Sequence, residues 1–290
     1  MSVIPDRGYV LITGARSGIG RATALHLDSL GFSVIATDLP LTDSESLERE
    51  ASDRLSSVDL DVTDPDSIAA AAERAREITG GRGLAGLVNN AGIAVAGPLE
   101  HVPLDDIRTQ LEVNTIGPIA VSRAMLPLLR IGRGRIVNIT SLAGRISAPF
   151  LGPYSASKHA LEAVSASMRV ELKPWGIHVC AIEPGFLRTG IYEAGNERFD
   201  RMAADFPPEV ERDYGDILAG RLENQERLQR RALSPKRAAK TVARALTSKR
   251  PKARYLVGPD ARVLAAIHTI AGPRAVEAVS TLAMRPPKQR

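Results

Sequence analysis

Short aliphatic runs alternate along the chain with longer stretches in which apolar residues recur at helical spacing. Near-continuous aliphatic runs are typical of strands that are buried on both faces of a sheet. Because strands that alternate with helices build βαβ units, the pattern predicts an α/β fold with a parallel sheet. The predicted strands are Tyr9–Thr13, Ser33–Thr37, Ser56–Asp59, Gly86–Asn89, Arg135–Thr140, His178–Glu183 and Tyr255–Val257.

Start and stop signals predict the helices between these strands. A helix over Gly20–Leu30 ends before Gly31, and another begins at Asp64, where Pro65 stands in the first turn and acids suit the positive end of the helix. Further helices are predicted at Leu104–Leu129 (as one or two segments), Ser155–Pro174 and Ala265–Leu282.

No internal repeat or linker divides the 290 residues, so we predict a single domain over residues 1–290. The segment from 186 to 232 has no strand rhythm and mixes charged residues with aromatic ones. A long insertion of this kind is often a lid or a binding loop, and we favour that interpretation. The alternative is a helical excursion with a purely packing role. Residues 260–290 are predicted to form a C-terminal extension.

The composition is that of an ordinary globular protein, with 44% apolar and 24% charged residues. Much of the net charge of +5 comes from late basic residues, such as Lys236, Arg237 and those from Arg285 to Arg290. We interpret them as a solvated basic surface and expect no nucleic-acid partner, with attraction to anionic lipid as the alternative.

The cysteine content and the hydropathy exclude further classes of protein. The single cysteine, Cys180, excludes an internal disulfide framework, and its apolar neighbours predict a buried structural thiol. No apolar run is long enough for a transmembrane helix, and the first residues lack the apolar core of a signal peptide. We therefore expect no membrane span and a cytoplasmic location.

A glycine-rich turn connects the first predicted strand to the first helix. It follows Thr13 and has the spacing G-x-x-x-G-x-G over Gly14–Gly20, not the commoner G-x-G-x-x-G. Glycines let the backbone turn tightly and approach a ligand, and the N–H groups at a helix N-terminus suit a pyrophosphate. The turn predicts a dinucleotide site, with a merely structural turn as the alternative.

Asp38 ends the second predicted strand. An acid at this position can accept hydrogen bonds from both hydroxyls of the adenosine ribose, and it repels a 2′-phosphate. Arg16 in the glycine turn could instead bind a 2′-phosphate. We weigh Asp38 more heavily and predict that NAD is the cofactor, with NADP less favoured.

With the motifs that follow it, this turn resembles the short-chain dehydrogenase/reductase family. The resemblance is strong over about residues 8–190, and its later part is most similar to the branch of retinol, hydroxysteroid and hydroxybutyrate dehydrogenases. The motifs, whose order is far more specific than any one of them, are Thr13–Gly20, Asp61-Val62, Asn89-Asn90-Ala91-Gly92, Asn114, Ser141, Tyr154-x-x-x-Lys158 and Pro184-Gly185.

The resemblance implies a single doubly wound Rossmann-type domain with a seven-stranded parallel sheet, helices on both faces, and a homodimer or homotetramer. It implies that Asp61 and Val62 hold the adenine and that Thr189 contacts the nicotinamide amide. The predicted cofactor-binding residues are Gly14, Arg16, Ser17, Gly18, Ile19, Gly20, Asp38, Asp61, Val62, Asn89, Ala91, Gly92, Tyr154, Lys158, Pro184, Gly185 and Thr189.

Tyr154 and Lys158 lie four residues apart, which puts both side chains on one face of a helix. Because a nearby ammonium favours the phenolate, we expect a lowered pKa for Tyr154 and a role as general acid/base. A surface tyrosine and a solvated lysine are the alternative. The family assigns the same roles to such a pair, and its lysine also holds the nicotinamide ribose.

Ser141 follows the fifth predicted strand, at the edge where ligands of open α/β sheets bind, and its hydroxyl can donate to a substrate oxygen. Thr140 is a lesser candidate. The role of Asn114 rests wholly on the resemblance, in which an asparagine holds a water that links the lysine to solvent. The predicted catalytic residues are Asn114, Ser141, Tyr154 and Lys158, and no metal site is expected because the histidines show no ligand spacing.

These features predict an oxidoreductase that transfers a hydride between NAD(H) and a secondary alcohol or ketone, with a small molecule as its partner. Phe150, Phe186 and Tyr192 could line an apolar pocket for a retinoid, steroid or fatty alcohol, or they could pack the core. An NADPH-dependent carbonyl or oxoacyl reductase is one alternative. A non-catalytic NAD-binding sensor or scaffold is the other.

Overall fold

The computed structural model describes residues 6–39 and 45–283. The end of the predicted C-terminal extension, with its basic residues from Arg285 onward, lies outside the described residues, as do residues 1–5 and 40–44.

The described residues form a seven-stranded sheet in which every neighbouring pair is parallel, with the order β3-β2-β1-β4-β5-β6-β7. This confirms the predicted fold class. The order reverses direction at β1, which lies between β2 and β4. The strands are β1 (Tyr9–Thr13), β2 (Ser33–Asp38), β3 (Leu55–Asp59), β4 (Leu84–Asn89), β5 (Arg135–Ile139), β6 (His178–Pro184) and β7 (Arg254–Val257).

Helices cover both faces of the sheet. They are α1 (Gly18–Ser29), α2 (Glu45–Glu50), α3 (Pro65–Thr79), α4 (Leu104–Leu111), α5 (Gly117–Ile131), α6 (Gly152–Glu171), α7 (Ile191–Ala203), α8 (Pro208–Arg230), α9 (Lys236–Thr247), α10 (Pro259–Ala271) and α11 (Pro273–Ala283).

Alternate residues of each strand supply two cores, because successive side chains of a strand point to opposite faces. In β1, Val10 and Ile12 pack with α1 and α9 on one face of the sheet. Leu11 packs with α3 and α5 on the other. All three side chains are fully buried, so the sheet is a rigid frame between two apolar layers.

Two predicted helices are divided in the structure. A π-helical turn, Glu112–Ile116, separates α4 from α5. The predicted helix Ala265–Leu282 is two helices, because Gly272 adopts a positive φ of 77° and Pro273 cannot continue the hydrogen bonding of α10. The fifth strand ends at Ile139, one residue earlier than predicted, and leaves Thr140 outside it.

The predicted lid segment, residues 186–232, is mostly helical. It contains α7 and α8, and a short bridge pairs Leu187 with Leu233 at its two ends. The segment therefore leaves the sheet after β6 and returns close to the point where it left. Its role as a lid, and that of residues 260–290 as an extension, stay predictions.

A chain of buried side-chain hydrogen bonds ties β4 and β5 to α6. Asn89 Nδ2 donates to Asn138 Oδ1 at 2.8 Å, and Asn138 Nδ2 donates to Ser165 Oγ at 2.8 Å. All three side chains are buried. Because unpaired polar groups are costly away from water, this chain fixes the helix against the sheet.

We expect Asn138→Ala to lower the free energy of unfolding by about 2 kcal/mol, because Asn89 and Ser165 each lose a buried partner. The measurement is urea unfolding with an unchanged slope. Ser167→Ala, which removes an exposed hydroxyl on the same helix, is the control and should cost less than about 0.5 kcal/mol. Equal losses in the two variants would contradict the argument.

Candidate active site

The carboxyl ends of the parallel strands open into a cleft of about 490 Å³. Most of the predicted site residues lie along it, which is where ligands bind in open α/β sheets. The predicted residues that line the cleft are Gly14, Arg16, Ser17, Gly18, Ile19, Asp38, Asp61, Val62, Ala91, Gly92, Ser141, Tyr154, Lys158, Pro184, Gly185 and Thr189.

The glycine turn makes one wall of the cleft. Gly14 and Gly18 have positive φ values of 65° and 56°, which side chains rarely adopt. The Ser17 side chain makes no capping hydrogen bond at the start of α1, so the first N–H groups of the helix are available to a ligand. This arrangement fits a pyrophosphate.

Gly20 packs against the glycine turn and does not line the cleft, and its role as a cofactor-binding residue stays a prediction. A Cβ atom at this position would stand 2.1 Å from Gly14 O and 2.6 Å from Asn90 Nδ2. The absence of a side chain therefore lets α1 begin directly against the turn.

Asn90 belongs to the predicted motif Asn89-Asn90-Ala91-Gly92, although it is not among the predicted cofactor-binding residues. Its Nδ2 donates to Thr13 O at 2.9 Å and to Gly14 O at 2.8 Å, and it lines the cleft. The neighbouring Asn89 is buried in the sheet and does not line the cleft, and its role as a cofactor-binding residue stays a prediction. The alternation of strand side chains explains the difference, because Asn89 and Asn90 point to different sides.

Asp38 occupies the end of β2 beside the glycine turn. Its Oδ2 accepts from the Arg16 N–H at 2.9 Å, and its Oδ1 accepts from the Leu39 N–H at 2.9 Å. The carboxylate is thus held in one orientation and retains lone pairs for a ligand. The Arg16 side chain is exposed beside it.

Asp61 and Val62 lie in the cleft beyond the end of β3. Asp61 Oδ1 accepts from the N–H and the hydroxyl of Thr63, at 2.8 and 2.7 Å. Val62 packs against Gly117 at the start of α5, where a Cβ atom would stand 3.0 Å from the valine. Both residues are therefore fixed at the end of the cleft that contains Asp38.

Helix α6 brings Tyr154 and Lys158 to the middle of the cleft. The Lys158 Nζ lies 5.7 Å from the centroid of the Tyr154 ring and donates to Ile139 O at 3.0 Å. Lys158 is buried, whereas Tyr154 is partly exposed. The predicted pair is therefore confirmed as neighbours on one helical face.

The expected lowering of the tyrosine pKa is wrong in this structure. Burial raises the pKa of Tyr154, and its hydrogen bond with Ser141 opposes that rise only in part. Burial also lowers the pKa of Lys158 to about 8. Burial thus disfavours the charged form of Lys158. Its Nζ donates to the backbone carbonyl of Ile139 and not to the phenol oxygen.

Ser141 follows β5 and begins a single 3₁₀ turn, Leu142–Gly144. Its Oγ accepts from the Ala143 N–H at 3.1 Å. This bond uses a lone pair of the oxygen and not the hydroxyl proton. The proton can therefore be donated to the Tyr154 oxygen. Thr140 is a poorer candidate, since its hydroxyl donates to Ile182 O at 2.9 Å and it is buried.

Asn114 lies in the π-helical turn and is fully buried, so it does not line the cleft. Its Oδ1 accepts from the Ile93 N–H at 2.9 Å, and its Nδ2 donates to Ile93 O at 3.0 Å. A Cβ atom on Gly92 would stand 3.2 Å from Asn114 Oδ1 and 3.7 Å from Lys158 Nζ. Asn114 therefore holds the backbone next to the lysine, and its predicted role with a water stays a prediction.

The far wall of the cleft follows β6. Pro184, Gly185 and Thr189 line it. Thr189 faces the glycine turn, because a Cβ atom on Gly18 would stand 3.4 Å from the Thr189 side chain. Asp260, at the start of α10, accepts from the Phe186 N–H at 2.7 Å. No sequence motif indicated this contact, because its partners are 74 residues apart.

A second cavity of about 360 Å³ shares Ser141, Tyr154 and Tyr192 with the cleft. Phe186 also lines it and stacks on Tyr192, with ring centroids 5.6 Å apart. Phe150 does not line this cavity and packs against Tyr214. The remaining lining is mainly aliphatic and includes Leu142, Ile146, Leu151, Leu228, Leu264 and Val276.

Helix α7 covers the cleft with residues that sequence reasoning did not find. Arg198 and Arg201 line the cleft, and Arg198 Nη2 lies 2.8 Å from Asp106 Oδ1 of α4. Tertiary packing alone brings these residues to the site, so no local spacing could have indicated them. Within residues 6–39 and 45–283, no cluster of side chains suits a metal ion and no helix is long and apolar enough to cross a bilayer.

Comparison with known proteins agrees with this geometry. The family described as short chain dehydrogenase matches residues 8–199. Retinol dehydrogenase 5 of Mus musculus is 40% identical over 97% of this chain and 90% of its own length. Human 17-beta-hydroxysteroid dehydrogenase type 6 is 40% identical over 88% of this chain and 81% of its own length.

Solved structures are similar over most of the chain. A short-chain dehydrogenase/reductase from Burkholderia phymatum in complex with NAD has a TM-score of 0.76 at 26% identity, covering 98% of both chains. A short-chain dehydrogenase from Burkholderia cenocepacia in complex with NADP has a TM-score of 0.70 at 25% identity, covering 96% of this chain and 98% of the other.

We expect Lys158→Met to stabilise the fold at neutral pH, by an amount on the order of 3 kcal/mol, because it removes a buried ammonium. The lysine pKa is lowered to about 8 from 10.5. Its cost is therefore fully present below pH 8 and disappears as the pH rises to 10.5. Urea unfolding at several pH values should show the gap between variant and wild type shrinking over this range, and a constant gap would contradict the burial argument.

Proposed function

Because the chain belongs to the short-chain dehydrogenase/reductase family, we propose that it uses NAD(H) to interconvert an apolar secondary alcohol and its ketone. The chain is an oxidoreductase that acts on alcohols or ketones with a nicotinamide cofactor. One observation carries the more specific proposal: the side chains of Ser141 and Tyr154 stand where a dinucleotide cleft meets an apolar cavity.

The chain's own residues provide the proton chemistry. In oxidation, the Tyr154 phenolate, formed when the tyrosine releases its own proton to solvent, takes the proton of the substrate hydroxyl, while the Ser141 hydroxyl donates to the same oxygen. The bound nicotinamide supplies the hydride acceptor. Lys158, whose pKa burial lowers to about 8, can take up or release a proton near neutral pH beside the backbone that Asn114 holds. Reduction is the reverse of these steps.

The orientation of Asp38 supports NAD over NADP. Two backbone N–H groups hold its carboxylate at the end of β2, on the wall of the cleft. A 2′-phosphate at that position would meet a fixed negative charge, whereas ribose hydroxyls would meet two acceptors. The exposed Arg16 side chain, which also lines the cleft, favours the second candidate, an NADPH-dependent carbonyl reductase.

The second cavity supports an apolar substrate. Its walls are mainly aliphatic, and its polar groups nearest the cleft are Ser141, Tyr154 and Tyr192. An apolar body with one oxygen at its end would fill such a cavity. The names of the relatives, a retinol dehydrogenase and a 17-beta-hydroxysteroid dehydrogenase, agree with a retinoid, a steroid or a fatty alcohol.

Three further features complete the proposal: a cytoplasmic location, a homodimer or homotetramer, and a substrate lid formed by residues 186–232. The lid is supported by Tyr192 of α7 and Leu228 of α8, which line the apolar cavity. The other two features rest on the sequence and on the family, and they stay predictions.

The first test is Tyr154→Phe, assayed with NAD and a panel of a 17β-hydroxysteroid, a long-chain secondary alcohol and, as a primary alcohol for comparison, retinol. We expect kcat to fall by about 100-fold or more, because the variant has no acid/base. The affinity for NADH, measured by its fluorescence, should change less than about twofold. Tyr214→Phe, which removes a hydroxyl bound to Glu100 at the surface, should keep its turnover.

A wild-type protein that binds NADH and turns over nothing in the panel would favour the non-catalytic sensor instead. Retention of turnover by Tyr154→Phe would show that another group is the acid/base.

The second test is Asp38→Asn, with affinities for NADH and NADPH measured side by side. We expect the wild type to prefer NADH and the variant to gain affinity for NADPH by about tenfold or more, since the repulsive charge is gone. Arg16→Gln is the matched variant and should leave the preference for NADH in place. A wild-type preference for NADPH that Arg16→Gln abolishes would establish the alternative.

A further inference from the structure

A group of four charged side chains, outside both cavities, connects the segment that follows Ser141 with α6, β6 and β7. Its members are Arg145, Glu162, Glu183 and Arg254, which we call the ionic cluster. The side chain of Glu183 is fully buried and that of Glu162 is 4% exposed, whereas Arg145 is 22% exposed and Arg254 is 41% exposed. The proton chemistry described above uses none of the four.

Arg145 binds Glu183 with two hydrogen bonds. Its Nε donates to Glu183 Oε2, and its Nη2 donates to Glu183 Oε1 at 3.0 Å. The planar guanidinium matches the carboxylate at both oxygens, which fixes orientation as well as distance. This pair joins the residue that follows the Ser141 turn to the strand β6, one residue before Pro184.

Arg254 and Glu162 complete the cluster. The Arg254 Nε lies 2.9 Å from Glu162 Oε2 and 3.7 Å from Glu183 Oε1. The two arginines therefore balance the two glutamates. Because a buried carboxylate without a counter-charge is strongly destabilising, each pair depends on the other.

The cluster encloses the turn that begins at Ser141. Arg145 caps the C-terminal end of this turn, and its N–H donates to Leu142 O at 2.9 Å. On its other side the turn contacts α6 so closely that a Cβ on Gly144 would stand 2.9 Å from Lys158 O and 3.1 Å from Glu162 Cγ. The turn is thus wedged against the catalytic helix and tied to β6.

We propose that Arg145 is a positioning residue for hydride transfer: its two-pronged pair with Glu183 fixes the turn that directs the Ser141 hydroxyl at the reacting oxygen. The inference rests on the proposed function, since it requires Ser141 to donate to that oxygen. The Ala143 N–H holds the Ser141 oxygen within the turn, so the direction of the hydroxyl depends on where the turn lies, and small misplacements of catalytic groups are costly.

The test is Arg145→Lys, which keeps the positive charge and loses the fork. We expect kcat to fall by about tenfold while KM for NAD and the affinity for NADH stay within about twofold. Arg54→Lys is the matched control, because Arg54 forms a partly buried pair with Asp28 away from the cleft. It should lower the melting temperature and leave kcat unchanged.

Coupling to Ser141 distinguishes positioning from a general loss of structure. In a Ser141→Ala background, Arg145→Lys should change kcat by less than about twofold, because the group it positions is absent. Glu183→Gln addresses the same contact from the other partner and should show the same coupling, so it replaces Arg145→Lys if that variant does not fold.

A tenfold loss that persists in the Ser141→Ala background, or a parallel loss of NADH affinity, would overturn the positioning role and leave the proposed function intact. If Ser141→Ala itself turns over normally, then the assignment of Ser141 fails, and the inference fails with it.

Discussion

The parallel pairing of β1 with both β2 and β4 is the constraint on which the site depends. Since all strands run in one direction, their carboxyl ends meet at one edge, and the reversal of strand order at β1 leaves a cleft there. Asp38, Asn90, Ser141 and Pro184 each stand at or just beyond the end of a different strand. Their convergence follows from topology, because no two of them are close in sequence.

Burial at the middle of the cleft produces opposing effects on the two titrating residues. It raises the pKa of Tyr154 and lowers that of Lys158 to about 8, so burial shifts each group toward its neutral form. The hydrogen bond from Ser141 acts against this effect at the tyrosine. The serine therefore influences the acid/base directly, and the rigidity of its turn matters for the proton as well as for the substrate.

The sequence predicted the layers of the fold and most of the cleft, since buried parallel strands and glycine turns have strong local signals. It is less informative where one local pattern fits two structural roles. Asn89 and Asn90 belong to one motif, but Asn89 is buried in the sheet and Asn90 lines the cleft. Only the alternation of side chains along the strand distinguishes them. At Gly20 the sequence suggests a ligand contact, and the structure adds a packing role, because a Cβ atom there would stand 2.1 Å from Gly14 O. Arg198, Asp260 and the ionic cluster depend on contacts between distant segments, for which a single sequence carries no periodic signal.

Tyr192 belongs to the walls of both cavities and stacks on Phe186. A movement of Tyr192 therefore changes the shape of both the cleft and the second cavity. A bulky alcohol that displaces this stacked pair also moves part of the wall of the dinucleotide cleft. If a bound alcohol changes the affinity for the dinucleotide by some factor, then the bound dinucleotide changes the affinity for the alcohol by the same factor. Discrimination among alcohols in this enzyme is then shared between the two ligands and is not a property of the apolar chamber alone.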